Sequence, residues 1–187
     1  MDPTLIESAQ QGDQQAFERL AVEVYPRLFR VAQGMLRDTH AAEDAVQQAL
    51  IAMWRYLPRL RDPARFEGWS YRLLVHACYD EAERQPKWLP EAAMGAVVEP
   101  HAADDYLGVV QREQLERAFP RLSVEHRAVI VLRYRLDLPL QQVADALDVS
   151  VGTVGSRLNR ALKALRAALE ADARPTAALG EQGATAR

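Results

Sequence analysis

The stretch LPLQQVADALDVSVGTVGSRLNRALKALRAAL, Leu138 to Leu169, constrains the fold more than any other part of the chain. Leu140, Val143, Ala144 and Leu147 fall at i, i+3, i+4 and i+7, the spacing of one helical face. Past a polar turn, Val151, Val154, Leu158, Leu162, Leu165 and Leu169 continue an apolar stripe for about five turns. Ser150 stands immediately before that run, where its hydroxyl can accept from the first free backbone amides. The opposite face carries Thr153, Ser156, Arg157, Arg160, Lys163 and Arg166, with four cations and no acid between Val151 and Arg166. A short helix, a tight turn and a longer basic helix predict a helix-turn-helix whose second helix enters the major groove of DNA. A plain helical hairpin with a solvated basic face is the competing reading. The small residues Ser150, Val151, Gly152 and Thr153 weigh against it, because they let the backbone approach phosphates and base edges closely.

The preceding sequence is helical in pattern. Asp2-Pro3 is a helix start, with Asp as cap and Pro in the first helical position. From Gln14, the residues Phe17, Leu20, Val24, Leu28, Val31, Ala32 and Met35 keep helical spacing, and Pro26 is expected to kink or interrupt that helix near Tyr25. Asp38-Thr39 offers a turn and cap before a helix from Ala41 to about Leu57, with Ala45, Val46, Ala49, Leu50, Met53 and Trp54 inward. Asp62-Pro63 repeats the opening signal and predicts a helix over roughly Ala64–Glu83. On it, Trp69, Leu73, His76 and Asp80 share one face and Tyr71 and Cys78 lie opposite. No segment alternates with period two, so no sheet is expected.

After Gln85 the texture changes. Pro86, Pro90, Gly95 and Pro100 punctuate an acidic, alanine-rich stretch of roughly twenty residues, long for a loop within one compact domain. The expected architecture is therefore all-α: a helical domain over 1–85, a flexible linker over 86–103, and a second helical domain over 104–171. In the second, Leu107, Val110, Leu115 and Phe119 mark a helix ending at or before Pro120, and Ser123 caps the next. The tail over 172–187 is small, polar and rich in helix breakers, and is expected to be disordered.

Charge and chemistry narrow the function. The net charge is −3, but it is unevenly spread. Arg121 to Glu170 holds eight cations against five acids, whereas Pro86 to Tyr106 sets Lys87 against Glu91, Glu99, Asp104 and Asp105. Basic charge concentrated on one helix face suits phosphate contact. The four histidines and single cysteine are scattered, without an HExxH, a glycine-rich phosphate loop or a nucleophile motif, which argues against an enzyme and calls for no cofactor or metal. Cys78 alone forms no internal disulfide, the acidic N-terminus lacks the pattern of a secretory signal, and no apolar run is long enough to span a bilayer. A cytoplasmic location without membrane insertion is expected.

Two stretches then carry a family resemblance: AAEDAVQQALIAMWRYLPRL (Ala41–Leu60) and LPLQQVADALDVSVGTVGSRLNRALKAL (Leu138–Leu165). Together, in this order and at this separation, they resemble regions 2 and 4 of a bacterial sigma factor of the extracytoplasmic-function type. The resemblance covers nearly the whole chain up to about Ala171. It implies docking on core RNA polymerase, at the coiled coil of its largest catalytic subunit and at the flap. The docking role falls on Asp44, Gln47, Gln48 and Trp54. For Glu43 and Asp44 the helix dipole is explanation enough of acids in a first turn, and Trp54 fits the core as well as a docking face.

The helix after Asp62-Pro63 corresponds, by the same resemblance, to the segment that melts and reads the downstream (−10) promoter element. Melted bases stack on aromatic surfaces beside basic groups; Trp69, Tyr71, Arg72, His76, Tyr79 and Arg84 are the candidates. A tryptophan spaced like Trp69 is more often a core residue than a stacking platform, and His76 replaces the asparagine common in the family. The upstream (−35) duplex falls to Ser150, Val151, Gly152, Thr153, Ser156, Arg157, Arg160 and Lys163. Two residues depart from the family there. Asp148 occupies the place of the usual turn glycine, and Gly155 replaces a frequent lysine, which predicts weakened upstream binding. An anti-sigma factor clamped between the domains is a further implied partner. The alternative is a helix-turn-helix repressor or activator with its own sensor domain, but the first half of the chain has no α/β sensor pattern.

Overall fold

The structure is a computed structural model and describes residues 2–84 and 113–172. The predicted linker over 86–103, Leu107, Val110 and the tail beyond Asp172 lie outside the described residues. Among the described residues every regular element is helical.

In the N-terminal domain α1 spans Pro3–Gln10, α2 Gln14–Leu36, α3 Thr39–Tyr56 and α4 Phe66–Arg84. Aspartates start them. Asp2, Asp13 and Asp38 accept from the amides of Thr4, Ala16 and Ala41 at 2.9, 3.1 and 2.8 Å, satisfying donors that the helices leave orphaned. Asp62 does the same for Ala64 at 3.0 Å, but there the chain first makes a 3₁₀ turn, Pro63–Arg65, before α4 begins at Phe66. Apolar residues at helical spacing close the core: Leu20, Val24, Leu28 and Val31 from α2, Val46, Ala49 and Met53 from α3, and Phe66, Leu74 and Cys78 from α4 are all buried.

Of the kink or interruption expected at Pro26, the interruption does not occur: α2 runs unbroken through it. The residue four positions earlier, Val22, is 75% exposed, so the carbonyl left without an amide partner lies on the solvent side. Buried Val24 and Leu28 hold the helix on either side. Its C-cap is Arg37, in left-handed conformation at φ 63°.

In the C-terminal domain residues 113–118 are helical (α5) and pass into a 3₁₀ turn at Phe119–Arg121, as Pro120 dictates. Ser123 caps α6, Val124–Ile130, which ends in a π-helical turn, Val131–Arg135. Then come α7, Leu140–Leu147, and α8, Val151–Asp172. Asp148 takes the left-handed conformation between them (φ 54°, ψ 45°), so aspartate serves where glycine would be easiest. The inward face of α8 is narrower than its leucine stripe: Val154 and Ala161 are buried, Leu158 is half-buried, and Leu162 is exposed. The arc left to Leu162 faces solvent because α6 and α7 cover the other side.

The two domains pack against each other. α7 lies along α4, and α6 with the π turn lies on α2. Gly34 marks the closest approach, since a Cβ there would sit 3.0 Å from Val131 Cγ2 and 3.3 Å from Arg135 Nη1. Buried residues from both domains form one continuous apolar cluster.

Candidate nucleic-acid interface

On α3 the residues Asp44, Gln47, Gln48 and Trp54 all face outward. Trp54 is 44% exposed, with one side of its indole against Phe17 at 4.9 Å between centroids, so it is a surface residue with one packed face. Ile51, 47% exposed, falls in the same row at i+4 from Gln47 and i+3 from Trp54. The spacing that set Ala45, Val46, Ala49, Leu50, Met53 and Trp54 inward already leaves Ile51 off that face, and a single isoleucine there carries no docking signal of its own. The row is apolar at its C-terminal end and polar at its start, the composition of a protein-docking face.

The second surface lies where α3 ends and α4 begins. Tyr56, Arg59, Leu60, Arg61, Asp62, Arg65, Trp69, Arg72 and Leu73 line an open cleft of about 610 Å³. Four arginines and two aromatics face one acid, Asp62, which is engaged by Arg65 at 3.5 Å. Arg59 stacks on the Tyr56 ring at 5.7 Å, and Trp69 is half-buried with its ring tilted against Phe66 at 5.8 Å. A π-face beside mobile cations is the equipment for holding an unstacked base and its phosphate. Of the residues expected here, Trp69 and Arg72 are in the cleft. Tyr56, Arg59, Arg61 and Arg65 were missed. The arginine-rich string RYLPRLRDPAR was the available signal, and its prolines disguised it as a connector.

Tyr71 is a correction. It is only 2% exposed and packs inward with Leu74, Val75 and Cys78, because it lies on the face of α4 that meets α2 and α3. The Arg27 guanidinium covers its ring at 5.0 Å and is itself held by Glu67. No base can stack there, and burial pushes its hydroxyl pKa up to about 12. His76 and Arg84 are exposed, Arg84 pairing with Glu81 at 3.1 Å.

Tyr79 and Arg72 point to the other domain. The Tyr79 hydroxyl is buried without a well-formed hydrogen bond. Burial raises its pKa to about 12, with the nearby Arg157 cation opposing. Arg72 reaches Asp148 of the helix-turn-helix at 3.7 Å. Both partners of that pair are substantially exposed, so it contributes little alone. Beside it, at the α2–α6 contact, burial lowers the Arg127 guanidinium to about 10, with the Arg37 cation adding to the effect and Glu125 opposing it. Burial likewise lowers Arg37, with Glu116 opposing and Arg135 assisting.

The third surface is α8. The Ser150 hydroxyl accepts from the Thr153 amide at 3.2 Å and shares a hydrogen bond with the Thr153 hydroxyl at 2.9 Å, so its first task is capping. Val151, Gly152, Ser156, Arg160 and Lys163 are exposed, and Thr153 is partly so. Arg160 Nε donates to the Ser156 carbonyl at 3.4 Å, which lays its guanidinium along the helix surface. Arg157 alone of the cations is turned toward α4. Among the described residues no group of three or more His, Cys, Asp or Glu side chains is placed to hold a metal ion. No helix among them is long and apolar enough to cross a membrane.

The two helical domains, one carrying the capped basic helix α8 and the other a basic-aromatic cleft, are of the sigma-70 class by the family models they match. Residues 20–87 match the family model for Sigma-70 region 2, and residues 112–165 match that for Sigma-70, region 4. The chain is 32% identical over 160 residues to the ECF RNA polymerase sigma factor SigM of Mycobacterium tuberculosis, covering 86% of this chain and 80% of the relative. It is 28% identical over 174 residues to SigW of Bacillus subtilis, covering 86% and 92%. The chain belongs to the ECF RNA polymerase sigma factors. Among solved structures, CnrH in complex with the cytosolic domain of CnrY matches with a TM-score of 0.65 at 24% identity, covering 91% of this chain and 98% of that one. RpoE in complex with the anti-sigma factor NepR from Bartonella quintana matches at 0.61 and 21%, covering 83% and 98%. These two bear on the fold alone.

Proposed function

We propose that this chain directs core RNA polymerase to promoters in the cytoplasm and carries out no covalent chemistry of its own. The α3 row Asp44, Gln47, Gln48, Ile51 and Trp54 docks on the polymerase. The Tyr56–Leu73 cleft takes a base and backbone of the melted downstream strand, with Trp69 as the apolar wall and Arg59, Arg61, Arg65 and Arg72 on phosphates. The α8 face reads the upstream duplex through Val151, Gly152, Thr153 and Ser156, gripped by Arg157, Arg160 and Lys163. The units are taken as residues 1–85 and 104–171. The observation that carries the reading is that one chain presents a cleft suited to single-stranded DNA and a separate helix suited to duplex DNA.

The closed packing fits this reading as a resting state. Arg157 and Tyr79 face each other, and Arg72 is engaged by Asp148, so part of each DNA surface is occupied by the other domain. Engaging both promoter elements then requires the domains to part. An anti-sigma factor that binds both domains would hold them together; RpoE, which shares the fold, was solved in complex with the anti-sigma factor NepR. The test is run-off transcription with purified core polymerase on a genomic promoter library. Discrete start sites that depend on this chain support the reading. Stable binding to palindromic duplex without polymerase, and no discrete product, would favour a repressor or activator instead.

A further inference from the structure

The first helix, α1, lies outside the residues matched to Sigma-70 region 2, yet it touches the cleft's foundation. Its Ile6 and Ala9 are buried, and it packs on both 3₁₀ turns, Leu57–Arg59 and Pro63–Arg65. At its last residue, the Gln10 side-chain amide donates to the Leu60 carbonyl at 2.6 Å and lies 3.4 Å from the Leu57 carbonyl. Those carbonyls lie in and just past the 3₁₀ turn that follows α3, where only the Leu57 carbonyl has a local partner, the Leu60 amide at 3.0 Å. The same short segment supplies Arg59, Leu60, Arg61 and Asp62 to the cleft wall. Among the described residues these are the tertiary hydrogen bonds that reach the wall; the amides of Leu60, Ala64 and Arg65 bond locally, to Leu57, Asp62 and Asp62. Leu57 is buried and Leu60 packs partly against the core, but Arg59, Arg61 and Asp62 are exposed, so beyond Leu57 the wall's backbone has few contacts besides this amide to set its path.

We propose that Gln10 is a positioning residue for the downstream-strand cleft, fixing the Leu57–Asp62 wall and with it the placement of Arg59 and Arg61. The proposal rests on the cleft being the single-strand site. Gln10 itself does not touch DNA: it sits under the wall, half-buried, and acts through two backbone carbonyls.

The experiment uses holoenzyme assembled from core polymerase and the full chain, and a randomised single-stranded DNA pool from which bound sequences are recovered. Wild type is compared with Gln10→Glu, which keeps the shape but sets an acceptor against two acceptors, and with Gln10→Lys, which restores a donor. Ile6→Val weakens the packing of α1 without touching the amide and controls for plain destabilisation. The expected result is a sequence preference that broadens in Gln10→Glu, with about tenfold weaker binding of the best oligonucleotide, a restored preference in Gln10→Lys, and an unchanged one in Ile6→Val. Core-polymerase affinity should be the same in all four. A wild-type holoenzyme that selects no sequence overturns the cleft reading itself. Selection by wild type with an identical profile in Gln10→Glu, or an equal loss in Ile6→Val, overturns the positioning role alone. Should Gln10→Glu fail to fold, Gln10→Asn, one methylene too short to reach, makes the same comparison.

Discussion

Gly34 offers a perturbation with opposite signs on two observables. It lies within α2, where replacing glycine by alanine stabilises a helix by about 1 kcal/mol. The new Cβ, however, would stand 3.0 and 3.4 Å from the two Val131 methyls and 3.3 Å from an Arg135 nitrogen. Val131 is buried in the π turn and has little room to withdraw, so overpacking of about 1–3 kcal/mol falls on the seam between the domains and not on α2. At tenfold per 1.4 kcal/mol, the closed-to-open ratio should drop by roughly 5- to 150-fold. Spin labels at Gln15→Cys and Glu170→Cys, both exposed positions, report the distance between domains; the buried Cys78 does not compete for label. Gly34→Ala should broaden that distance distribution toward longer values. Hydrogen exchange should show α2 amides at least as protected as before. Opening also frees Arg157 and Tyr79, so affinity for duplex DNA should rise with the open fraction. An unchanged distance distribution together with unchanged DNA affinity would refute the reasoning, since it would mean that Val131 yields and Gly34 is not what permits the close approach.

Gly155 has open space around it, so Gly155→Lys should add a phosphate contact on α8. It is expected to steepen the salt dependence of duplex binding by about one unit of log–log slope and to raise helix stability by about 1 kcal/mol; a slope unchanged in a salt titration would place position 155 away from the backbone. Tyr71→Phe should leave open-complex formation intact, whereas Trp69→Ala should impair it by about tenfold, following the worth of one stacked base; permanganate footprinting of the melted strand distinguishes the two. The Cys78 thiol is pushed up to about 12 by burial, with Glu81 adding to it. Its folded pKa exceeds the unfolded value, so its contribution to stability is full below about pH 8.5 and declines as pH rises toward 12, by about 1.4 kcal/mol per pH unit. Urea melts between about pH 8 and 10, below the range where the buried Tyr71 and Tyr79 hydroxyls add a loss of their own, should show the fall, and Cys78→Ala should flatten it.

Much of the fold is legible in the residues because it is set by local chemistry. The Asp caps, the Ser123 and Ser150 caps, and the i, i+3, i+4 spacing of Leu20, Val24 and Leu28 each act within one or two turns, so sequence order alone places them. The interruption expected at Pro26 fails for a tertiary reason: the unpartnered carbonyl is tolerated because that side of α2 faces water, which spacing does not disclose. Tyr71 was misjudged similarly. Phase on a helix says that Tyr71 and Trp69 lie on different faces, but not which face the neighbouring helices will cover.

What the sequence determined by itself is a set of helices, their caps, a left-handed turn that Asp148 can occupy, and a basic face on α8 that marks a DNA-binding hairpin. Each depends on contacts no more than a few residues apart. Only the tertiary structure decided that Arg59, Arg61 and Arg65 join Trp69 around one cleft, that Gln10 reaches across from α1 to hold its wall, and that Gly34 lets the second domain settle on the first. Those features depend on where distant backbones come to rest. A side-chain amide over two carbonyls 47 and 50 residues away, or a missing Cβ opposite a valine nearly a hundred positions on, leaves no periodic trace in the chain.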